Sequence, residues 1–193
     1  MIPTELLEFL SAGSLAITSL VPTDDDLTLE LEIFSGRQEP PQVWRIVCQP
    51  LYPYLLIRDW PNTLEWFDEH PTLWAFTRPH ASLYFGRPAV NPSAVFGDLC
   101  WVHYELCSDW LPLSEFLNDK CISRQLLAES GGLLAEGPIN LISAYSEVLQ
   151  SHNMHPSIVP YPDDDSLSVG TVHAIVAGNS CFIGEEITFQ RLK

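Results

Sequence analysis

Leu27-Thr28-Leu29-Glu30-Leu31-Glu32-Ile33 holds the most regular pattern in the chain. Leucine or isoleucine takes every odd position, and Thr28, Glu30 and Glu32 fall between them. A strand sends successive side chains to opposite faces, so this two-residue period predicts a half-buried β-strand. Just upstream, Leu15-Ala16-Ile17-Thr18-Ser19-Leu20-Val21 reads as a second strand, and Asp24-Asp25-Asp26 makes the turn between them. Two strands so close in sequence predict an antiparallel sheet.

On either side of this pair the pattern changes. Upstream, Pro3 suits a first helical turn, Glu5 complements its positive end, and Leu6, Leu7 and Leu10 predict a short helix that Gly13 stops. Downstream, strands are predicted around Val43 to Cys48 and over Tyr54-Leu55-Leu56-Ile57. Asn62 with Glu65 three residues on matches a capping box, which predicts a helix over Thr63 to Glu69. Thr72 to Thr77 and Ala81 to Phe85 read as strands. Asn91-Pro92-Ser93 opens a helix carrying Val95, Leu99, Val102 and Leu106.

Leu113 to Leu117 and Ile122 to Leu127 read as helical, and Gly131-Gly132 interrupts. Gly137-Pro138 then starts a helix to about Ser151, with Leu141, Ile142, Tyr145, Val148 and Leu149 as its apolar stripe. After a loop from His155 to Asp165, strands are predicted near Val169 to Ala177, Ser180 to Phe182 and Glu186 to Arg191. Gly178-Asn179 is the turn joining the first two of these. Strands, then helices, then strands predict an α+β class: a largely antiparallel sheet from N- and C-terminal strands with a central group of helices. No Gly- or Ser-rich linker divides the chain, so the expectation is a single α+β domain over residues 1–193.

Composition agrees with a packed core. The 193 residues are 46% hydrophobic and include six tryptophans, while 18% are charged. That charged share lies below the usual quarter or so. No stretch approaches the ~20 apolar residues of a membrane span. The N-terminus, Met1-Ile2-Pro3-Thr4-Glu5, has no basic run followed by an apolar one, so a secretory signal is not expected. Cys48, Cys100, Cys107, Cys121 and Cys181 form an odd, scattered set without a CxxC pair. They read as reduced, buried thiols in the cytoplasm.

Twenty-five acids against nine bases give a net charge of −16. Neutralising phosphate takes clustered Lys and Arg, so binding of nucleic acid or anionic lipid through a basic face is excluded. Arg37, Arg45, Arg58, Arg78 and Arg87 lie in the first half, and no Lys or Arg falls between Arg124 and Arg191. The acidic C-terminal third is where a cationic partner is expected.

Catalytic signatures are absent: no P-loop, no GxGxxG after a strand, no GxSxG and no HExxH. Cys100, His103 and Cys107 share one helical face, but a structural zinc takes four ligands, and the fourth would have to come from Cys121 or a distant histidine. A satisfied histidine in an apolar face accounts for them. His152 suits the negative end of a helix without a metal. The aspartate triplets at 24–26 and 163–165 lack the alternating spacing of a calcium loop and read as solvated turns. No metal or cofactor is expected.

The richest segment runs from Trp60 to Arg87, dense in aromatic side chains with Arg and His among them. Such a mixture serves a core, a protein interface or a concave ligand site. Within it, Trp74, Arg78, His80 and Arg87 are the candidate binding residues, Arg78 and His80 flanking Pro79 in an expected loop. The leading reading is a non-catalytic protein-binding or regulatory module, with a protein, in particular a basic one, as partner. The alternative is a small-ligand-binding domain or an enzyme using His70, Arg78, His80 or His103, since histidine is the usual acid or base at neutral pH. A homodimer that covers apolar surface is a third reading.

Overall fold

The computed structural model describes residues 1–11, 13–35, 40–50, 52–57, 61–118, 127, 131–162 and 171–193. Among them, four α-helices and ten strands in three antiparallel sheets make an α+β fold. The chain divides into two compact units, one built from residues 1–73 and 169–193, the other from 74–168.

The first unit opens with α1 (Thr4–Leu10), followed by β1 (Ser14–Pro22), β2 (Leu27–Phe34) and β3 (Gln42–Gln49). With β10 (Glu186–Arg191) they form a sheet in the order β1-β2-β3-β10. The period of β2 is realised: Leu27, Leu29, Leu31 and Ile33 are buried. In register they face Cys48, Ile46, Trp44 and Gln42 of β3. On the other face Glu30 sits opposite Arg45, with Oε1 2.8 Å from Nη2. Leu6 and Leu10 of α1 join the same core.

A second sheet, β4 (Glu65–Phe67), β8 (His173–Ala177) and β9 (Ser180–Gly184), adds Ile175 and Phe182 to that core. Gly178 takes φ 58° in the two-residue turn between β8 and β9, a conformation that glycine adopts at no steric cost. Three expectations between residues 54 and 77 fail in whole or in part. Residues 63–69 do not form a helix: Leu64 is buried, Glu65 exposed, and Trp66 pairs with Ile175 across the sheet. A single turn of capping chemistry gave way to the cross-strand packing that aromatic side chains favour. Thr72 to Thr77 is not a strand either, since Pro71–Leu73 forms a 3-10 turn and α2 (Trp74–Thr77) follows. Of Tyr54 to Ile57, Leu55 alone makes a β-bridge, to Cys181.

The second unit holds α2, β5 (His80–Phe85), α3 (Pro92–Cys107), β6 (Gly132–Pro138), α4 (Ile139–Ser151) and β7 (Pro156–Pro160), with the sheet in the order β6-β5-β7. Ala81, Leu83 and Phe85 of β5 are buried against Val95 and Leu99 of α3 and Leu141, Tyr145 and Leu149 of α4. His80, Ser82 and Tyr84 alternate with them and belong to the opposite face. The Asn91 side chain accepts from Ala94 N at 3.2 Å and caps α3.

Neither β6 nor β7 was expected. The glycines at 131 and 132 hid the first. Pro156 and Pro160 masked the second, which lies at the sheet edge where proline's missing N–H is tolerated. Leu113–Glu115 forms a 3-10 turn. The helix expected over Ile122 to Leu127 lies outside the described residues except for Leu127. No helix among the described residues is long and apolar enough to cross a membrane.

Candidate functional site

The four residues singled out by sequence all fall in the second unit. Trp74 opens α2, half-buried against the core. Arg78 is exposed at the end of that helical turn, its N–H donating to Trp74 O at 3.1 Å. His80 begins β5. Arg87 follows the far end of β5 and is exposed, its N–H bonded to Met154 O at 3.1 Å. At about 3.3 Å per strand residue, His80 and Arg87 stand on the order of 20 Å apart. The fold therefore sets Trp74, Arg78 and His80 in sequence at the start of β5, with Trp74 turned to the core, and Arg87 at the other end of the strand.

His80 belongs to a polar cluster on the outer face of the β6-β5-β7 sheet. Ser82 and Glu136 are register partners, and Ser82 Oγ donates to Glu136 Oε1 at 3.0 Å. Tyr161 Oη donates to the same oxygen at 2.6 Å. The carboxylate holds that proton and raises the Tyr161 hydroxyl above its ordinary range. The Tyr161 ring lies 6.3 Å from the His80 ring, centroid to centroid. His80 Nε2 is buried and has no hydrogen-bond partner among the described residues. An orphaned nitrogen of this kind costs about 1–3 kcal/mol unless a bound molecule satisfies it.

The outward face of α3 is different in character. Val95, Leu99, His103 and Cys107 point into the core. Trp101 and Tyr104, three residues apart on the opposite side, are 67% and 53% exposed. Asp98, three residues before Trp101, and Glu105, four after it, are exposed on the same face. Asp98 Oδ2 also lies 2.7 Å from His152 Nε2 at the end of α4. No Lys or Arg occurs between Arg87 and Lys120.

His103 occupies a different environment, 5% exposed, with both ring nitrogens engaged. Nε2 lies 2.6 Å from the Leu111 carbonyl, which can only accept, so this nitrogen carries a proton. Nδ1 in the neutral ring then accepts from the Tyr145 hydroxyl at 2.7 Å. Burial pushes the Cys107 thiol to about 11 and raises Cys100 as well, so neither is a thiolate at neutral pH. Among the described residues no three His, Cys, Asp or Glu side chains converge as metal ligands. Cys121 and the triplet at 163–165 lie outside the described residues.

In the first unit, Asp68 Oδ1 accepts from Trp66 Nε1 at 2.8 Å and lies 2.7 Å from His173 Nδ1. The indole N–H, then the imidazole, hold the Asp68 carboxyl below its usual range. His70 is buried, with Nδ1 2.8 Å from Thr72 Oγ1, which is in turn 3.4 Å from Cys181 Sγ. Burial raises Cys181 and takes Cys48 to about 12, so this chain of contacts ends on a protonated thiol.

Sequence reasoning missed two of these groups. Asp68 and His173 meet across two strands far apart in sequence, and no local pattern announces such a pair. Trp101 and Tyr104 were not singled out either, and the signal that could have found them is their position opposite the expected apolar stripe of α3. Comparison with protein-family models, curated proteins and solved structures returns no match.

Proposed function

We propose that the chain is a non-catalytic protein-binding or regulatory module whose contact surface is the outward face of α3. The exposure of Trp101 and Tyr104 carries this reading. Tryptophan and tyrosine dominate binding energy at protein interfaces, where an aromatic anchor is buried on association. A tryptophan two-thirds open to water, on a helix whose opposite face is well buried, is disposed as such an anchor. The acidic charge supports an acidic regulatory protein, and the free cysteines among the described residues suit a reducing cytoplasm.

The test is affinity capture from native lysate, at low and raised salt, with wild-type protein and with Trp101→Ala and Tyr104→Ala. Each substitution is expected to change stability by less than about 0.5 kcal/mol, as exposed sites do. Both are expected to remove a stoichiometric partner. Capture that is identical in the variants would overturn the assignment of the surface.

One observation favours a second reading, a small-ligand site on the outer sheet face. There Glu136 gathers two hydroxyl donors on one oxygen while His80 Nε2 stays unsatisfied. A ligand with neighbouring hydroxyl or amine groups fits that chemistry. It would raise the melting temperature of wild type but not of His80→Ala or Glu136→Gln. Variants that melt early without ligand would mark these side chains as structural.

A further inference from the structure

We infer that the outward face of α3 takes a basic segment of a protein partner, with an arginine stacked on Trp101 and paired with the flanking carboxylates. The inference rests on the surface proposed above and adds the chemistry of its occupant. Trp101 is the centre of the face, with Asp98, Tyr104 and Glu105 three, three and four residues away and so adjacent on the helix surface. An indole beside two carboxylates presents a negative ring face and negative neighbours together, which is what a cation approaching an aromatic surface requires.

Residues 88 to 119 contain neither Lys nor Arg. Among the described residues the one competitor on this face is His152, whose Nε2 lies 2.7 Å from Asp98 Oδ2, so Glu105 is the carboxylate that meets the arginine first. Other occupants fit less well. A second copy would bring Asp98 and Glu105 against themselves on molecules that each carry −16. Nucleic acid and anionic lipid are repelled by the same charges.

Arginine fits better than lysine for a geometric reason. A planar guanidinium stacks flat on indole while its edge N–H groups reach a carboxylate, whereas an ammonium is a hydrated point charge. Salt screens the carboxylate part of such a contact, which lies in water, and leaves the stacking part. Binding is therefore expected to weaken with salt without vanishing.

Full-length protein is titrated calorimetrically with an oligo-arginine peptide, an oligo-lysine peptide of equal length and an oligo-glutamate control. Wild type is expected to bind the arginine peptide several-fold more tightly than the lysine peptide and to ignore the glutamate peptide. Trp101→Ala should weaken the arginine peptide about tenfold and bring the two basic peptides level. Trp101→Phe should retain much of the affinity, and Glu105→Gln should reduce the salt dependence. Asp24→Asn, in the exposed turn between β1 and β2, should change nothing.

Equal binding by wild type and Trp101→Ala would overturn the inference, because the peptide would then be following net charge alone. So would a dimer in light scattering that Trp101→Ala dissolves, since a second copy would then own the face. No peptide binding, together with Trp101-dependent capture of a partner insensitive to salt, would sink the basic class and leave the protein-binding reading standing. No peptide binding and no Trp101-dependent capture would sink both.

Discussion

Hydrogen-bond accounting at His103 explains why a histidine three and four residues from cysteines is not free for chemistry. Its two nitrogens are consumed by the Leu111 carbonyl and the Tyr145 hydroxyl, and Tyr145 itself is fully buried. Tyr145→Phe removes the donor and leaves Nδ1 facing an apolar ring. The expected loss is about 1–3 kcal/mol, the penalty of an unsatisfied buried acceptor, measured by urea denaturation. His70 carries a different, pH-dependent liability. Burial holds its imidazole below the ordinary value of 6.5, and the Thr72 N–H approaches Nδ1 at 3.4 Å as a donor. Above 6.5 both the folded and unfolded chains hold this ring neutral, so it contributes no pH dependence. As pH falls below that value the unfolded chain gains a proton that the folded chain resists. Stability therefore drops until the folded pKa is reached. His70→Gln is expected to show a smaller loss between about pH 7.5 and pH 5.5 than wild type in parallel denaturation curves. An equal loss would assign the acid sensitivity to other groups.

Strands and helices with a single strong period were legible in the sequence. The alternation from Leu27 to Ile33 gave β2, and the stripe from Leu141 to Leu149 gave α4, each within a residue or two of the observed ends. The elements that went astray are short ones whose state depends on a distant partner. Glu65–Phe67 is a strand because Ala174, Ile175 and Val176 lie beside it. Likewise β7 exists because β5 offers it an edge. Local chemistry at such places is a weak prior that tertiary pairing overrides. Where local chemistry does decide, it can be tested directly. Asn91 ends the chain's extended approach to α3, with Pro92 inside the first turn and its side-chain oxygen on Ala94 N. Asn91→Ala should cost about 1 kcal/mol, and Asn91→Asp should be nearly neutral. Since the cap lies apart from Trp101, partner binding should survive Asn91→Ala at temperatures well below its melting point.

Two separate hydrophobic cores set the largest division of the molecule. One draws on residues from Ile2 to Leu64 and from Ile175 to Ile187, the other on residues from Ala81 to Met154. The sequence hid this arrangement because the passage at 73–74 lacks linker composition: Leu73 ends a 3-10 turn and Trp74 begins α2. The two cores differ in connectivity, and that difference has a consequence. Residues 74–168 are contiguous and contain every strand of the β6-β5-β7 sheet and both helices that cover it. Residues 1–73 alone lack β10, which pairs with β3, and β8, which pairs with β4. Without them one whole edge of the first sheet and most of the second are missing, along with Ile175 and Phe182 from the core. Excised as a peptide, 74–168 is expected to unfold cooperatively and to show amide protection in its central strand β5. The peptide 1–73 is expected to show neither, because an uncovered edge and a depleted core favour association over folding. Joining 169–193 to residue 73 through a flexible linker should restore cooperative unfolding to the first unit, since closing a short loop costs little entropy. Protection in 1–73 alone would place the stabilising contacts of that unit within β1, β2 and β3, with β8 to β10 as additions to an already stable sheet.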